Sequence, residues 1–393
     1  MQVKAGIFLR KRVQHRVESG HPWVYQSEVD YSEGDFDPGD LVDVYNFRRL
    51  FIGRGYINPR SQIVVRLLTR EQETIDRDFF RRRIETAWQY RQRFLAEPDY
   101  CRLVYGEADF LPGLIVDKFG PYLVLQTLAL GMDVHKDLLV SVLDEMFNPI
   151  GIYERNDVPV RRLEGLEERK GFLKGRFSPL ITVQENGIPF YADIENGQKT
   201  GFFYDQRENR QTLKALVGDA EVLDCFCHTG SFAVHAALYG AKSITSIDIS
   251  EEAIALAKRN AERNGVTDRC NFIVDNAFNS LRTMSDAGQK FDVVILDPPA
   301  FTKSRNNIEG AARGYKEINL RGLRLVRPGG FLVTCSCSYH MDRELFKAII
   351  VDAAKDVRRQ IREVEYRTQA KDHPILPAAP ETNYLKFLTV QVL

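Results

Sequence analysis

Three aspartates each close a short apolar run: Asp224 after Val222-Leu223, Asp248 after Ser246-Ile247, and Asp275 after Phe272-Ile273-Val274. A carboxylate at a strand end can accept hydrogen bonds from ribose hydroxyls or from an exocyclic adenine amine, so three in succession outline an adenosine site. The candidate contacts continue into the residues that follow each aspartate: His228, Thr229 and Gly230 in the first loop, Ile249 after the second, and Asn276 and Ala277 after the third. A dinucleotide site would carry Gly-x-Gly-x-x-Gly in that first loop, to let a pyrophosphate approach the backbone. Here the loop Cys225-Phe226-Cys227-His228-Thr229-Gly230-Ser231-Phe232 keeps a single glycine. S-adenosylmethionine, which has ribose and adenine but no phosphate, therefore fits better than NAD or FAD.

The fourth run ends in Asp297-Pro298-Pro299-Ala300-Phe301. Two prolines remove two N–H donors and fix φ, so the Asp297 carboxylate and the neighbouring carbonyls are held stiffly. Pro298 can line the cofactor, while Pro299 and Phe301 offer faces to a planar base. An Asp-Pro-Pro turn at this strand end points to methyl transfer onto a nitrogenous base or amide. The fifth run, Gly330-Phe331-Leu332-Val333-Thr334-Cys335-Ser336-Cys337-Ser338, brings two cysteines. Carbon 5 of a pyrimidine is too weak a nucleophile to take a methyl group directly, so a thiolate must first add to carbon 6. Cys337, at the mouth, suits that role, with Asp297 holding the base edge; Cys335, still inside the strand, is the runner-up. The pairs Cys225/Cys227 and Cys335/Cys337 are spaced too tightly for a zinc knuckle, and no metal site is expected.

The elements that must position these groups alternate between strand-like and helical segments from residue 222 onward. The helix over 251–264 has Ser250 as its cap, Glu251 and Glu252 in its first turn and Gly265 as its stop. The alternation predicts an α/β doubly wound parallel sheet. Upstream, short β runs bounded by Gly20-His21-Pro22, Asp37-Pro38-Gly39 and Asn58-Pro59 suggest a small barrel over residues 1–70, with Lys4, Arg10, Lys11, Arg12 and Arg16 as a basic arm. Residues 71–190 read as a mixed α+β module. A helix over 74–96 is decorated by Arg81-Arg82-Arg83, Arg91 and Arg93, and a hairpin turns on Asn186-Gly187. Arg10, Lys11 and Arg81 are candidate phosphate contacts. Residues 191–393 form the last domain.

Composition narrows the class further. The 393 residues are 44% hydrophobic and 27% charged, which excludes a mostly disordered chain. Lys+Arg 54 balance Asp+Glu 54, so any nucleic-acid partner must be met by local patches. No apolar run approaches the ~20 residues of a membrane-spanning helix. The N-terminus has no signal-peptide pattern, and six cysteines suit a reducing compartment, so a cytoplasmic protein is expected.

Over nearly its whole length the chain resembles the RlmI-like methyltransferases. The likeness rests on His21-Pro22-Trp23-Val24-Tyr25, Gly39-Asp40-Leu41-Val42, Gly113-Leu114-Ile115-Val116-Asp117, the stretch from Gly197 to Arg207, the Asp224–Phe232 loop, Asp297-Pro298-Pro299-Ala300-Phe301 and Cys337. The resemblance implies a PUA-like barrel and a central domain ahead of a class I S-adenosylmethionine-dependent catalytic domain. It implies methylation of cytosine carbon 5 in large-subunit ribosomal RNA, and makes a homodimer plausible. It also implies that Arg207 packs beside the cofactor and Lys199 near the substrate, although Asp205 and Glu208 have the spacing of a capping box for the next helix. His228 departs from the usual glycine, and Ala300 stands where some cytosine methyltransferases have a second cysteine. Two other readings stay open: an exocyclic-amine methyltransferase of the same fold, indifferent to Cys337, and a non-catalytic RNA-binding protein.

Overall fold

β-branched runs between Pro/Gly turns give the N-terminal strands. The computed structural model describes residues 3–11, 14–301 and 307–393, so Arg12 of the basic arm lies outside it. Strands β1 (Ala5–Leu9), β2 (Trp23–Tyr25), β3 (Val29–Glu33), β4 (Leu41–Tyr45), β5 (Phe51–Ile57) and β6 (Ile63–Thr69) form one six-stranded sheet in the order β2-β6-β5-β4-β1-β3. A short helix, α1 (Gln14–Glu18), follows β1. Ile7, Leu9, Val24, Val42, Val44 and Val65 fill the core of this sheet.

Helix α2 (Arg77–Phe94) starts where Asp76 accepts the Phe79 N–H at 3.0 Å. It buries Phe79, Phe80, Ile84 and Ala87 at helical spacing. Strands β7 (Tyr100–Tyr105), β8 (Leu114–Phe119), β9 (Tyr122–Thr127), β10 (Gly151–Asn156) and β11 (Arg169–Lys174) form a second sheet, with α3 (Leu130–Val134) and α4 (Lys136–Phe147) between β9 and β10. Arg91, expected on the decorated face of α2, is instead 0% exposed. Its guanidinium donates to both Asp109 carboxylate oxygens, at 2.5 and 2.7 Å, and to the carbonyls of Arg102 and Asp372. A buried charge is tolerated when it is paired and its donors are used, as here.

Strands β12 (Leu180–Glu185) and β13 (Ile188–Asp193) make the hairpin, with Asn186 at φ 57 and Gly187 at φ 77, as the Asn-Gly turn requires. By contact the chain divides into two units. The first comprises residues 1–183, 192–204 and 371–382; the second comprises 184–191, 205–370 and 383–393. Segments 192–204 and 371–382 join the first unit through polar anchors. Arg155 donates to the carbonyls of Ile194 and Gly197, the Thr200 hydroxyl bonds Asp117, and Asp372 accepts the Arg102 N–H at 3.0 Å.

The second unit is the alternating βα region. Strands β14 (Glu221–Cys225), β15 (Ser243–Asp248), β16 (Cys270–Val274), β17 (Phe291–Leu296), β18 (Val326–Ser336), β19 (Ile361–Arg367) and β20 (Lys386–Val392) form a sheet ordered β16-β15-β14-β17-β18-β20-β19. The first five are mutually parallel; β20 runs antiparallel to both β18 and β19. Helices α5 (Arg207–Gln211), α6 (Ser231–Leu238), α7 (Glu251–Arg263), α8 (Ala277–Asp286), α9 (Ile308–Leu325) and α10 (Arg343–Asp356) complete it. The α7 cap is as expected: Ser250 Oγ accepts the Ala253 N–H, and Gly265 sits at φ 66. Strand order reverses between β14 and β17, so their C-terminal ends, carrying Asp224 and Asp297, flank the switch point where open α/β sheets bind ligands. Among the described residues no helix is long and apolar enough to cross a membrane.

Candidate active site

The loop leaving β14 is held in an uncommon conformation. Phe226, His228 and Gly230 alternate at φ 64, 49 and 76, with other residues between. Left-handed backbone costs a non-glycine residue roughly 1–2 kcal/mol, so His228 stands where a glycine would be unstrained. Asp248 compensates: its Oδ2 accepts the His228 N–H at 2.8 Å, and its Oδ1 accepts the Ser250 N–H at 3.0 Å. Gly230 cannot be replaced as easily, since a Cβ there would come 3.0 Å from that of Ala257 and 3.2 Å from the Phe272 ring. Thr229 is buried and its carbonyl accepts from Asn260 at 3.0 Å. The adenosine candidates thus begin as parts of one tightly bonded turn.

Asp224 is fully buried, and neither carboxylate oxygen has a well-formed hydrogen bond. Burial pushes its carboxyl well above the ordinary range, and the charges of Asp297 and Asp248 push it further; Arg210 and the Ala233 N–H act weakly the other way. The ends of β14, β15 and β17 therefore crowd three carboxyl groups together, and their mutual repulsion is relieved when a positive charge binds. Such a site suits a ligand that brings positive charge, as the sulfonium and ammonium of S-adenosylmethionine do, and repels a diphosphate. Ile249, beyond β15, is 69% exposed, an apolar face beside this cluster. Asp275 and Asn276 are exposed; Asp275 accepts from the Ser280 hydroxyl, Asn276 caps α8 by accepting the Phe278 N–H, and Ala277 is buried in its first turn.

Asp297 Oδ1 accepts from Gln206 Nε2 at 3.1 Å. Pro298 is buried and Pro299 exposed. Phe301, expected to meet a base, packs its ring on Tyr315 at 4.6 Å and Phe278 at 5.7 Å, where it buttresses the Asp-Pro-Pro turn. The two cysteines of β18 differ sharply. Cys335 is fully buried, and burial with the nearby Asp297 charge pushes its thiol well up, so it stays protonated. Cys337 lies just past the strand end, half-buried, with Sγ 3.8 Å from the Pro298 carbonyl oxygen. Tyr315 OH bridges the hydroxyls of Ser336 and Ser338, each at 2.9 Å, and so braces the residues on both sides of Cys337.

Arg207 opens α5 and is buried; its carbonyl accepts from Asn186 Nδ2 at 3.1 Å. In place of the expected capping box, α5 starts at Gln206, whose side chain makes no cap bond, while the Asp205 carboxylate accepts the Tyr384 hydroxyl. Lys199 belongs to the first unit, at φ 53 with Nζ 4.3 Å from the Phe203 ring centroid. Of the phosphate candidates, Arg10 donates to the Val29 carbonyl, Lys11 lies 5.7 Å from the Phe47 ring centroid, and Arg81 pairs with Glu145 at 2.8 Å. No motif marks Arg210, Tyr315 or Lys386, because each reaches the site by tertiary contact alone. Gln206 lies within the Gly197–Arg207 stretch, but its bond to Asp297 is a tertiary contact that the stretch does not reveal.

Two family models match the chain: a PUA-like domain over residues 7–70 and an S-adenosylmethionine-dependent methyltransferase over residues 169–378. Proteins named ribosomal RNA large subunit methyltransferase I align along nearly the whole length. The one from Vibrio cholerae is 42% identical over 98% of this chain and 99% of its own, and the one from Cronobacter sakazakii 40% identical over 95% and 96%. The chain belongs to this family of S-adenosylmethionine-dependent methyltransferases. Among solved structures, a protein from Streptococcus mutans described as an S-adenosylmethionine-dependent methyltransferase superposes with a TM-score of 0.83 at 20% identity, covering 99% of this chain and 100% of that one. A methyltransferase solved with S-adenosylhomocysteine superposes with a TM-score of 0.85 at 20% identity and the same coverage. At that identity they show the fold: a PUA-like β domain ahead of a methyltransferase sheet.

Proposed function

We propose that this methyltransferase acts on large-subunit ribosomal RNA and methylates carbon 5 of a cytosine through a covalent adduct with Cys337. The observation that carries this reading is the half-exposed Cys337 thiol, 3.8 Å from the Pro298 carbonyl and on the same sheet edge as Asp297, with the only other cysteine of that strand buried and protonated. An amine methyltransferase would need no thiol there.

The Cys337 thiolate adds to carbon 6, forming the S–C6 bond and shifting the C5–C6 electron pair to carbon 5. Asp297, steadied by Gln206, holds the polar edge of the cytosine, and the proline pair keeps that carboxylate from swinging away. When bound, S-adenosylmethionine supplies the electrophilic methyl group. Loss of the carbon 5 proton then restores the double bond as the Cys337 sulfur leaves carbon 6. Asp224, Asp248 and Asp275, with His228, Thr229, Gly230, Ile249, Asn276, Ala277, Pro298 and Arg207, make the cofactor side, and the exposed Pro299 faces the substrate; Phe301, packed on Tyr315 and Phe278, supports that turn from behind. Lys199 is a separate RNA contact. A base inside a duplex is out of reach of such a cleft, so the target is single-stranded or flipped out. Nucleoside analysis of large-subunit ribosomal RNA methylated in vitro tests the reading: 5-methylcytosine is expected, and a methylated guanine or adenine amine contradicts it.

Residues 1–70 act as an RNA-holding domain ahead of a central domain, 71–190, and the catalytic domain, 191–393. Arg10, Lys11 and Arg81 meet phosphates; the Arg81–Glu145 pair is exposed and screened by solvent, so it yields readily to a stronger anion. Reversing all three charges is expected to weaken RNA binding about tenfold and to flatten its salt dependence. Unchanged affinity and slope in filter binding across a salt series would count against these contacts.

A further inference from the structure

Lys386 begins β20 directly opposite Ser336 of β18, and its side chain reaches past that pair toward the strand end. Its Nζ donates to the Ser338 carbonyl at 2.6 Å and to the Tyr384 carbonyl at 2.7 Å, with the residue only 4% exposed. A buried ammonium tied to the residue after Cys337 is a large, fixed charge beside that thiol. Two neutral carbonyls orient it without cancelling it.

We propose that Lys386 is a positioning residue for methyl transfer, whose ammonium stabilises the Cys337 thiolate and whose two carbonyl bonds fix the turn that presents the sulfur. This rests on the reading of Cys337 as the nucleophile. The thiol proton passes to solvent, and the resulting S⁻ is held by the N⁺ beside it. The ammonium of Lys386 and the Cys337 thiol attract one another, and the other groups around them divide by charge. Asp342, the α10 cap, faces Lys386 and favours its charge; Tyr315 from α9 and Cys335 from β18 lie near Cys337 and are held protonated by burial; Asp297 from β17 adds negative charge beside Cys335. Burial lowers the Lys386 ammonium to about 8, while attraction to Cys337 and Asp342 holds it up. It is thus charged at neutral pH and loses its charge as pH rises through about 8. By reciprocity, the attraction that holds the ammonium up favours the thiolate.

The test is the pH dependence of iodoacetamide alkylation at Cys337, followed by peptide mass spectrometry in the full-length protein. Lys386→Met and Lys386→Gln are expected to move the midpoint up by about one pH unit, which slows alkylation near neutral pH about tenfold. Lys386→Arg, which keeps the charge, is expected to retain the wild-type midpoint. An unchanged midpoint in the Met and Gln variants, or an equal shift in the Arg variant, overturns the proposal; should Lys386→Met fail to fold, Lys386→Gln, which keeps amide donors for the two carbonyls, decides alone. Methyl transfer surviving in Cys337→Ala would overturn the nucleophile reading instead, and leaves the alkylation result to stand by itself.

Discussion

Cys337→Ala is expected to abolish methyl transfer to RNA, with S-adenosylmethionine affinity unchanged, while Cys335→Ala keeps the activity. The contrast follows from where the two thiols sit. Without a sulfur to add to carbon 6, carbon 5 never becomes nucleophilic, and the loss in kcat is expected to exceed roughly a thousandfold, the scale of removing a nucleophile. Alanine at 337 disturbs little else, because Tyr315 braces Ser336 and Ser338 rather than the cysteine itself. Cys335 is a buried thiol pushed far above its ordinary range, so it serves as a small apolar side chain. Its loss should cost about 1 kcal/mol of packing, visible as a lowered Tm. Methyl-transfer assays and calorimetry on both variants check the pair of outcomes; an active Cys337→Ala enzyme refutes the covalent route.

Asp224→Asn should move stability and binding in opposite directions. The carboxylate is buried without a well-formed hydrogen bond and faces the charges of Asp297 and Asp248. Ionising a buried carboxylate that faces two like charges is costly, and the amide carries no charge, so Asp224→Asn should raise the Tm of the cofactor-free protein where the wild-type group would be forced to ionise. The sign with pH follows from the raised pKa. Asp224 contributes its stability below the ordinary carboxylate value of 3.8 and loses it as pH rises toward the folded value. The gap between variant and wild type should therefore open as pH rises and close on acidification. A bound cation would draw the Asp224 carboxyl toward its ionised form, which the amide cannot adopt, so affinity for S-adenosylmethionine should fall by about tenfold. A variant that is both less stable and equally tight in calorimetry would contradict this role.

Most of the catalytic sheet was legible because its central parallel strands, buried on both faces, read as short apolar runs, and the runs ending at 224, 248, 275 and 297 each carry an aspartate at the C-terminal end of a strand. The hairpin was legible because Asn-Gly serves one turn geometry. Arg91 was not: nothing in its helical spacing reveals that Asp109 and the carbonyl of Asp372, far along the chain, will enclose it. The same holds for Lys386, brought to the end of β18 by an antiparallel register across 48 residues, and for Tyr315. The left-handed backbone at His228 was hidden by a side chain that does not advertise it, since Asp248 supports the turn that a glycine would adopt unaided. Phe301 looked available to a base because its partners, Phe278 and Tyr315, lie in separate helices.

The central claim is the bond between Cys337 and carbon 6, and it can be caught directly. RNA containing 5-fluorocytosine at the target position can be attacked and methylated, but fluorine at carbon 5 cannot leave as a proton, so the sulfur stays attached. Incubated with S-adenosylmethionine and this RNA, the wild-type enzyme is expected to give a denaturation-resistant protein–RNA adduct whose tryptic peptide carries the nucleotide on Cys337. Absence of the adduct under conditions where ordinary RNA is methylated, or its persistence in Cys337→Ala, would contradict the account.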